Sequence, residues 1–421
     1  MPTTIRHTLA NREFRPTRAL RLIALSSVLS VAAACHDAPT APHTHPSPTL
    51  NVSSDGTWIV NSLADPGDGT CSNNECTLRE AIAAAQDGER VTFKDNISGR
   101  IALTAGRLVV DKSLTIEARD PSQIAVDGQG TTTVFAVAGA TGGVLVNLFN
   151  LTITGGGGTP GSGVHVFFGS TLNVIGSVVT GNNALGNGGG INASNATLRV
   201  ARSTVAGNTA TGVGGGIYVR DDNLTVSRST ISGNSAASGG GIYLECSGSA
   251  SCATNGMTIR SSTITQNDTQ IAGGGGIATL ASTNTFSNTI VAGNRRTGFA
   301  DAASADCSFA LGPAVSFGYN LTSPGTGCDL TSPTDIVLQS IEQVFTAVLS
   351  PALADNGSSR PTHALVERGF AVDAGYCPGE STDERDRPRP FDDLRMPNAL
   401  DGCDIGAFEW NPPAAKPKPK P

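Results

Sequence analysis

The stretch LRVARSTVAGNTATGVGGGIYVRDDNLTVSRSTISGNSAASGGGI, residues 198–242, contains two copies of one pattern. LRVARSTVAGN returns as LTVSRSTISGN, and each copy is followed by GGGI. The asparagine that ends this phrase recurs at positions 182, 208, 234, 267 and 294, at spacings of 26, 26, 33 and 27 residues. A period of this length, kept by several phrases at once, is typical of a solenoid in which one repeat forms one coil.

Within each copy, apolar and polar residues alternate, which is the periodicity of a β-strand. Three short strands separated by turns that contain Gly or Asn predict one coil, stacked on the next about 4.8 Å away. Asparagine suits a fixed turn because it tolerates left-handed backbone and can bond to its copy in the next coil. The sequence therefore predicts an all-β fold, a right-handed single-stranded parallel β-helix, with Ile217, Val226 and Ile231 buried in its core.

The open ends of a solenoid need a cover. Before the repeats, Thr77 and Glu80 form a capping-box pattern, and Leu78, Ala81 and Ile82 share one helical face. We therefore expect an N-terminal capping helix that ends near residue 88. After the repeats, interleaved acidic residues and arginines predict a loop-rich C-terminal cap whose charges pair with one another.

The first residues have the features of an export signal. Five arginines lie between Arg6 and Arg21, and an apolar run extends to Ala34. VAAAC, residues 31–35, resembles a bacterial lipobox, in which Cys35 receives the lipid; ordinary signal-peptidase cleavage after Ala34 is the alternative. We expect an exported protein, either an outer-membrane lipoprotein or an extracellular one.

These observations divide the chain into five expected parts. They are a signal peptide (1–34), a flexible Pro- and Thr-rich tether (35–56), the β-helix with its N-terminal cap (57–300), a C-terminal region (301–410) and a disordered tail (411–421).

Several phrases resemble bacterial surface proteins. CSNNECTLREAI, residues 71–82, resembles the CSLREA motif, with Thr77 in place of the usual serine, and the GGGI phrases resemble the repeats of polymorphic outer-membrane proteins and of the β-helix group that includes pectate lyases. GYNLTS, LADNG, THAL, VDAG, DERDRPRP and CDIGAFE, in this order between residues 318 and 409, resemble the choice-of-anchor Q domain. One departure is Asp386, where that family usually has glycine. The resemblance implies a fold and a surface location, but it implies no reaction.

Charge and cysteine content narrow the partners and the compartment. The formal net charge is −7, and the export signal would take five arginines away with it, which argues against nucleic acid as a partner. Eight cysteines besides Cys35 form an even set, which indicates disulfides in an oxidising compartment, although the connectivity stays open. Proximity suggests the pairs Cys71–Cys76, Cys246–Cys252, Cys307–Cys328 and Cys377–Cys403.

Outward positions of the strands suggest a ligand surface. Tyr218 and Tyr243 occupy equivalent outward positions on adjacent coils, and Arg202 and Arg228 do so on another strand. Sugar rings stack on aromatic faces and uronates bind arginine, so these four residues form a hypothesis of an acidic-glycan site, provided that both columns lie on one face. Ordinary packing of a sheet surface is the alternative.

The repeats are poor in groups for catalysis. Residues 150–300 contain only four acidic residues, and no two of them take the same position in successive coils. The sequence therefore predicts a non-catalytic, monomeric, lipid-anchored surface protein that serves adhesion or binds extracellular glycans. The alternatives are a β-helix polysaccharide lyase or hydrolase, and a surface protein without a ligand. No cofactor is predicted; Ca²⁺ in the acidic C-terminal region is a lesser hypothesis, because the spacing matches no EF-hand loop.

Overall fold

The alternating residues of each repeat form strands whose apolar side chains share one interior. In a single coil, Ile217–Arg220, Leu224–Ser227, Thr230–Ser232 and Ser235–Ala236 lie on four different sheets. Each of these strands pairs in parallel with its equivalent in the coil before and the coil after. The prediction of an all-β parallel β-helix is therefore confirmed.

The structure is a computed structural model, and it describes residues 49–139, 142–158, 162–248, 253–271, 273–281, 283–297, 306–311, 314–325 and 327–411. Sheet A has ten strands: Thr57–Val60, Arg90–Phe93, Leu114–Glu117, Leu145–Phe149, Thr171–Ile175, Thr197–Ala201, Leu224–Ser227, Gly256–Arg260, Thr283–Ser287 and Val315–Ser316. Sheet B has eight: Leu108–Val110, Phe135–Val137, Val164–Phe167, Ile191–Ser194, Ile217–Arg220, Ile242–Glu245, Ile277–Thr279 and Cys307–Phe309. Sheet C has ten: Gly99–Ala102, Ile124–Asp127, Thr152–Thr154, Val178–Thr180, Thr204–Ala206, Thr230–Ser232, Thr263–Thr265, Ile290–Val291, Leu321–Thr322 and Ile336–Val337. Sheet D has five short strands: Asn183–Ala184, Thr209–Ala210, Ser235–Ala236, Asp268–Thr269 and Arg295–Arg296.

The interior of the coils is filled by stacked aliphatic side chains. Ile217, Val226 and Ile231 are fully buried there, each on a different sheet. Ile231 lies in register with Val205 in the coil before and Ile264 in the coil after. The core thus repeats the same apolar positions from coil to coil, which is why its residues could be named from the sequence.

A buried ladder of asparagines runs along the turn between sheets C and D. The Nδ2 atom of each donates to the Oδ1 atom of the next at 2.9 Å, through Asn182, Asn208, Asn234, Asn267 and Asn294. The ladder ends on the carboxylate of Asp306, again at 2.9 Å. The predicted bonding between copies is present, but the predicted left-handed backbone is not at the asparagines. The residue before each asparagine is left-handed, with φ between 57° and 74°, and in four of the five coils it is glycine.

The glycines of the GGGI phrases allow the backbones of adjacent coils to lie close to each other and to this ladder. A Cβ atom added to Gly216 would lie 2.6 Å from the carbonyl oxygen of Gly241 and 3.0 Å from Nδ2 of Asn234. Adjacent coils therefore approach too closely here for any side chain, which gives the glycine runs a structural cause.

A short helix, Leu78–Ala84, packs against the first strands and begins with the expected capping box. The hydroxyl of Thr77 accepts from the backbone amide of Glu80, while Oε2 of Glu80 accepts from the backbone amide of Thr77 at 2.8 Å. Leu78, Ala81 and Ile82 face inward, as their spacing predicts.

The C-terminal module, defined here as residues 340–411, lies along the outer face of sheet C. It contains a π-helical turn, Val344–Val348, and an antiparallel hairpin of Leu349–Ala354 with Thr362–Leu365. Thr204 Oγ1 donates to the carbonyl of Pro361 at 2.9 Å, and Ser232 Oγ contacts His363 Nε2 at 2.8 Å. The module therefore covers the flank of several coils, whereas the sequence predicts a cap at the end.

Glu384 anchors the module in this interface. Its carboxyl group is fully buried and accepts from the hydroxyls of Thr204 and Thr230, which belong to adjacent coils, at 3.0 Å and 2.5 Å. Burial raises the pKa of Glu384 from 4.5 to about 8, although both threonines and Arg360 oppose the shift. The carboxyl group is therefore neutral near pH 7 and joins the module to two coils without a buried charge.

This burial predicts a pH-dependent stability. Between pH 4.5 and 8 the folded protein keeps a proton on Glu384 that the unfolded chain loses. The group's contribution is complete below about pH 4.5 and falls by about 1.4 kcal/mol per pH unit until about pH 8. Urea unfolding at pH 5, 6.5 and 8 should show a decline that is smaller in Glu384→Gln than in the wild type. Equal slopes in both proteins would contradict the assignment.

Disulfides close several loops of the fold. Cys71–Cys76, Cys307–Cys328 and Cys377–Cys403 are bonded, and these are three of the four pairs that proximity suggests. Cys246 is also disulfide-bonded, whereas Cys252 lies outside the described residues, as does Cys35. Within the part of the chain that the structure describes, no helix has the length and apolarity needed to span a membrane.

Candidate functional site

The corner between sheets A and C is built from left-handed residues. Arg202, Arg228, Ser261 and Asn288 occupy this corner in successive coils, with φ between 46° and 50°. A left-handed residue costs about 1–2 kcal/mol for a side chain other than glycine, so the turn is held by the strands on both sides of it. The side chains of this column meet the C-terminal module.

The predicted arginine column exists, but the module occupies it. Arg202 Nη1 lies 2.9 Å from Asp386 Oδ1, and Arg360 Nη2 lies 2.5 Å from Asp386 Oδ2. Arg228 Nη1 donates to Thr382 Oγ1 at 3.2 Å. Both arginines thus make hydrogen bonds within the chain, which leaves less of each guanidinium group for the predicted anion site.

Asp386, the departure from the choice-of-anchor Q pattern, has a clear role in this contact. Its φ is 62°, which explains why glycine would suit the position. Aspartate is less easily accommodated at this φ than glycine, but its carboxylate forms ion pairs with Arg202 and Arg360.

The predicted tyrosine column also forms, but it does not offer two free rings. Tyr218 and Tyr243 stack with centroids 6.3 Å apart and ring planes 23° apart. Tyr218 is only 3% exposed, and its hydroxyl donates to Glu245 Oε2 at 2.6 Å. Burial and this carboxylate both raise the pKa of Tyr218. The expectation of an exposed ring at Tyr218 was therefore wrong, and the column lies on sheet B, away from the arginines at the corner of sheets A and C.

A cleft of about 260 Å³ opens where the corner meets the C-terminal module. It lies farther along the same column, beside Ser261 and Asn288. Its lining residues are Arg260, Ser261, Ser287, Asn288, Phe317, Gly318, Tyr319, Tyr376, Cys377, Pro378 and Glu380. The last coils form one side of the cleft, and the C-terminal module forms the other. This cleft is the candidate binding site.

Three of the eleven residues that line this cleft are aromatic. The rings of Tyr319 and Tyr376 lie 5.6 Å apart at an angle of 48°, and Phe317 is 70% exposed. The sequence reasoning missed these residues because they belong to no repeat. Their place in the sequence could have identified the two tyrosines. Tyr319 falls within GYNLTS and Tyr376 directly follows VDAG, and both phrases resemble the choice-of-anchor Q domain.

The wall that carries Tyr376 is fixed by buried polar contacts. The side chain of Asn288 accepts from the backbone amide of Tyr376 at 3.1 Å and donates to the carbonyl of Asp404 at 3.0 Å. The disulfide Cys377–Cys403 ties the same wall to the module interior. These contacts fix the backbone at Tyr376.

The carboxylate of Glu380 is oriented by a buried arginine, Arg389, which lies behind the cleft. Its Oε2 atom lies 3.6 Å from Arg389 Nη1, and Arg389 is itself held at 2.9 Å from Glu409 Oε2. Arg389 has no exposed side-chain surface, so it reaches the cleft only through Glu380. Arg260 is exposed at the cleft and forms no ion pair with a described residue.

Two groups of potential metal ligands occur among the described residues. Cys377, Asp401 and Cys403 lie together, but the two cysteines are bonded to each other. Asp68, Glu75 and Glu80 form the second group, in which Glu80 accepts from the backbone amides of Thr77 and Gly69. Only the first group lies in the acidic C-terminal region for which calcium was suggested, and two of its three members are disulfide-bonded.

Comparison with known proteins assigns this chain to no family. No family model matches this chain, and no curated protein sequence matches it. The chain is similar to the crystal structure of pectate lyase Pel9A, with a TM-score of 0.49, 14% identity, and coverage of 86% of this chain and 98% of that one. It is also similar to a mutant of the PL6 family alginate lyase AlyGC, with a TM-score of 0.38 and 14% identity. That match covers 69% of this chain but 41% of the other. At these values the likeness carries no argument.

Proposed function

We propose that this protein is an exported, monomeric surface protein that binds glycans without cleaving them, and that the cleft beside Tyr319 and Tyr376 is the binding site. The observation that carries the proposal is the composition of the cleft, in which aromatic rings stand beside an exposed arginine and an oriented carboxylate. Rings supply flat apolar surface, and charged groups supply strong directed hydrogen bonds. Pockets with few convergent polar groups on an apolar lining are the usual form of a ligand site.

Binding is favoured over hydrolysis by the number of carboxylates. Most glycoside hydrolases use a pair of Asp or Glu residues around the scissile bond. Glu380 is the single carboxylate among the residues that line this cleft. A lyase remains the alternative, and a screen for reducing sugars and unsaturated uronates on the purified protein separates it from a binding protein.

We expect the double variant Tyr319→Ala/Tyr376→Ala to lose glycan binding. On a glycan array, the wild-type protein should bind a restricted set, and the double variant should bind that set at least about tenfold more weakly, a loss of about 1.4 kcal/mol. Tyr243→Ala is the matched control, since it removes a tyrosine from sheet B and leaves the cleft intact. Unchanged binding by the double variant, or an equal loss in the control, would refute the site.

The lipid anchor is the second part of the proposal. VAAAC with the tether behind it favours lipidation of Cys35, and the resemblance to CSLREA and choice-of-anchor Q proteins favours a place on the cell surface. Cys35→Ser should move the protein from the membrane fraction to the soluble fraction. Mass spectrometry of the mature N-terminus should find a lipid on the wild type; an unmodified terminus would contradict the anchor.

A further inference from the structure

Arginines from successive coils follow one another along the edge that leads into the cleft. Arg202 and Arg228 take equivalent positions one coil apart. The backbone amide of Arg228 donates to the carbonyl of Arg260 at 3.1 Å, which places Arg260 in the next coil. Coils stack about 4.8 Å apart, and like charges on adjacent strands repel each other. The fold therefore brings positive charges together at this edge.

The arginines at this edge outnumber the carboxylates that pair with them. The arginines are Arg202, Arg228, Arg260, Arg360 and Arg389, and the carboxylates are Glu380, Asp386 and Glu409. Arg228 donates to Thr382, which is neutral, and Arg260 forms no ion pair with a described residue. Asp401, bonded to the backbone amide of Cys377, adds a fourth carboxylate. A positive excess remains, and it lies on Arg228 and Arg260.

The surroundings of Arg228 show that this excess extends to the cleft. Burial lowers the pKa of Arg228, and Glu380 opposes this shift. The positive charges nearby lower the same pKa further, namely those of Arg202, Arg260 and Arg389. Arg228 is thus within electrostatic reach of two residues that line the cleft, Arg260 and Glu380. An anion bound here would relieve the repulsion among the arginines.

The charge of Glu380 is largely offset by the protein itself. Its side chain is only 12% exposed, and its Oε2 atom lies 3.6 Å from Arg389 Nη1. Neither atom has a hydrogen-bond partner among the described residues, so each is left to the other's charge. Arg389 also pairs with Glu409, but burial raises the pKa of Glu409 and so reduces its negative charge near neutral pH. Arg260, in contrast, is exposed, so the accessible charge of the cleft is positive.

A sugar that carries an anionic group fits this combination. A guanidinium group offers planar, paired donors that match the oxygens of a carboxylate, and a sulfate ester presents similar oxygens. The sugar ring can pack against Tyr319 and Tyr376 while its anionic group meets Arg260. A neutral sugar can make the ring contact but brings no charge to Arg260.

We infer that the cleft binds acidic glycans in preference to neutral ones, with Arg260 as the residue that contacts the anionic group. This inference rests on the proposed glycan-binding function. The ligand class is the one that the arginine column suggested from the sequence, but the site is different. The charged contact moves from Arg202 to Arg260, and the aromatic contact moves from sheet B to Tyr319 and Tyr376.

The test is a calorimetric titration of the mature protein with oligosaccharides of equal length and linkage: a neutral hexose, its hexuronate and its sulfate ester. At least one acidic member should bind at least about tenfold more tightly than the neutral one. Its affinity should fall as salt is raised, because exposed charge pairs are screened. The hexuronate and sulfate arms distinguish which anionic group the cleft takes.

Arg260→Gln should weaken binding of the preferred acidic member by about tenfold and narrow the preference. Arg199→Gln is the matched control, because Arg199 is an exposed arginine on the same sheet that does not line the cleft. The control removes the same charge from the protein and should leave the preference unchanged. Melting temperatures of both variants should match that of the wild type, since both side chains are exposed.

The outcomes separate the two proposals. Equal or tighter binding of the neutral oligosaccharide, or wild-type affinity for the acidic one in Arg260→Gln, overturns the selectivity while the glycan site stands. An equal loss in Arg199→Gln also overturns it, because the effect would then belong to overall charge. Absence of binding to all of these oligosaccharides and to every glycan on the array overturns the proposed function, and the selectivity fails with it.

Discussion

Replacing Ile231 with alanine is expected to lower the free energy of unfolding by about 2–5 kcal/mol, the usual cost of a large-to-small change in a packed core. Ile231 is fully buried and packs in register between Val205 and Ile264. The deleted carbons leave a cavity between two coils that parallel pairing on both sides prevents from closing. Urea denaturation of the purified mature protein measures the loss.

Ile271→Ala is the control for this experiment, because Ile271 is 64% exposed and should change stability by no more than about 0.5 kcal/mol. A loss below about 1 kcal/mol at Ile231 would mean that its side chain does not fill the interior assigned to it.

The asparagine ladder predicts a second large effect at Asn234. Its Oδ1 atom accepts from the backbone amide and the side chain of Asn208, while its Nδ2 atom donates to Val205 and Asn267. In Asn234→Ala these buried groups on both sides lose their partner, at a cost of about 1–3 kcal/mol for each group left unsatisfied. We expect a total loss of about 3 kcal/mol or more by thermal or urea unfolding.

Asn183→Ala provides the matched control, since Asn183 is an exposed asparagine one residue beyond the ladder. Similar small losses at both positions would show that the ladder contributes little, and that water or neighbouring groups replace its bonds.

The repetitive part of the fold could be predicted because its cause is local. Alternation places Ile217 and Val219 inward, and a fixed turn places each asparagine over the previous one. The capping helix could be predicted for the same reason, since Thr77 and Glu80 are three residues apart. In each case the residues that interact lie close in sequence or recur at the period of the coil.

The C-terminal module and the cleft could not be predicted in this way. Thr204 meets Glu384 across 180 residues, and no periodicity relates these two positions. Tyr319 and Tyr376 converge only because the module lies back along the coils. The exposure of Tyr218 was misjudged because alternation gives the direction of a side chain, whereas its burial also depends on its contact with Glu245 and on the stacked Tyr243.

A crystal structure of the mature protein with the tightest-binding oligosaccharide from the array tests the central claim most directly. The account predicts a sugar ring against Tyr319 and Tyr376, with polar groups of the sugar in hydrogen-bonding contact with Arg260 and Glu380. A sugar bound on sheet B near Tyr243, or anywhere outside this cleft, would contradict it.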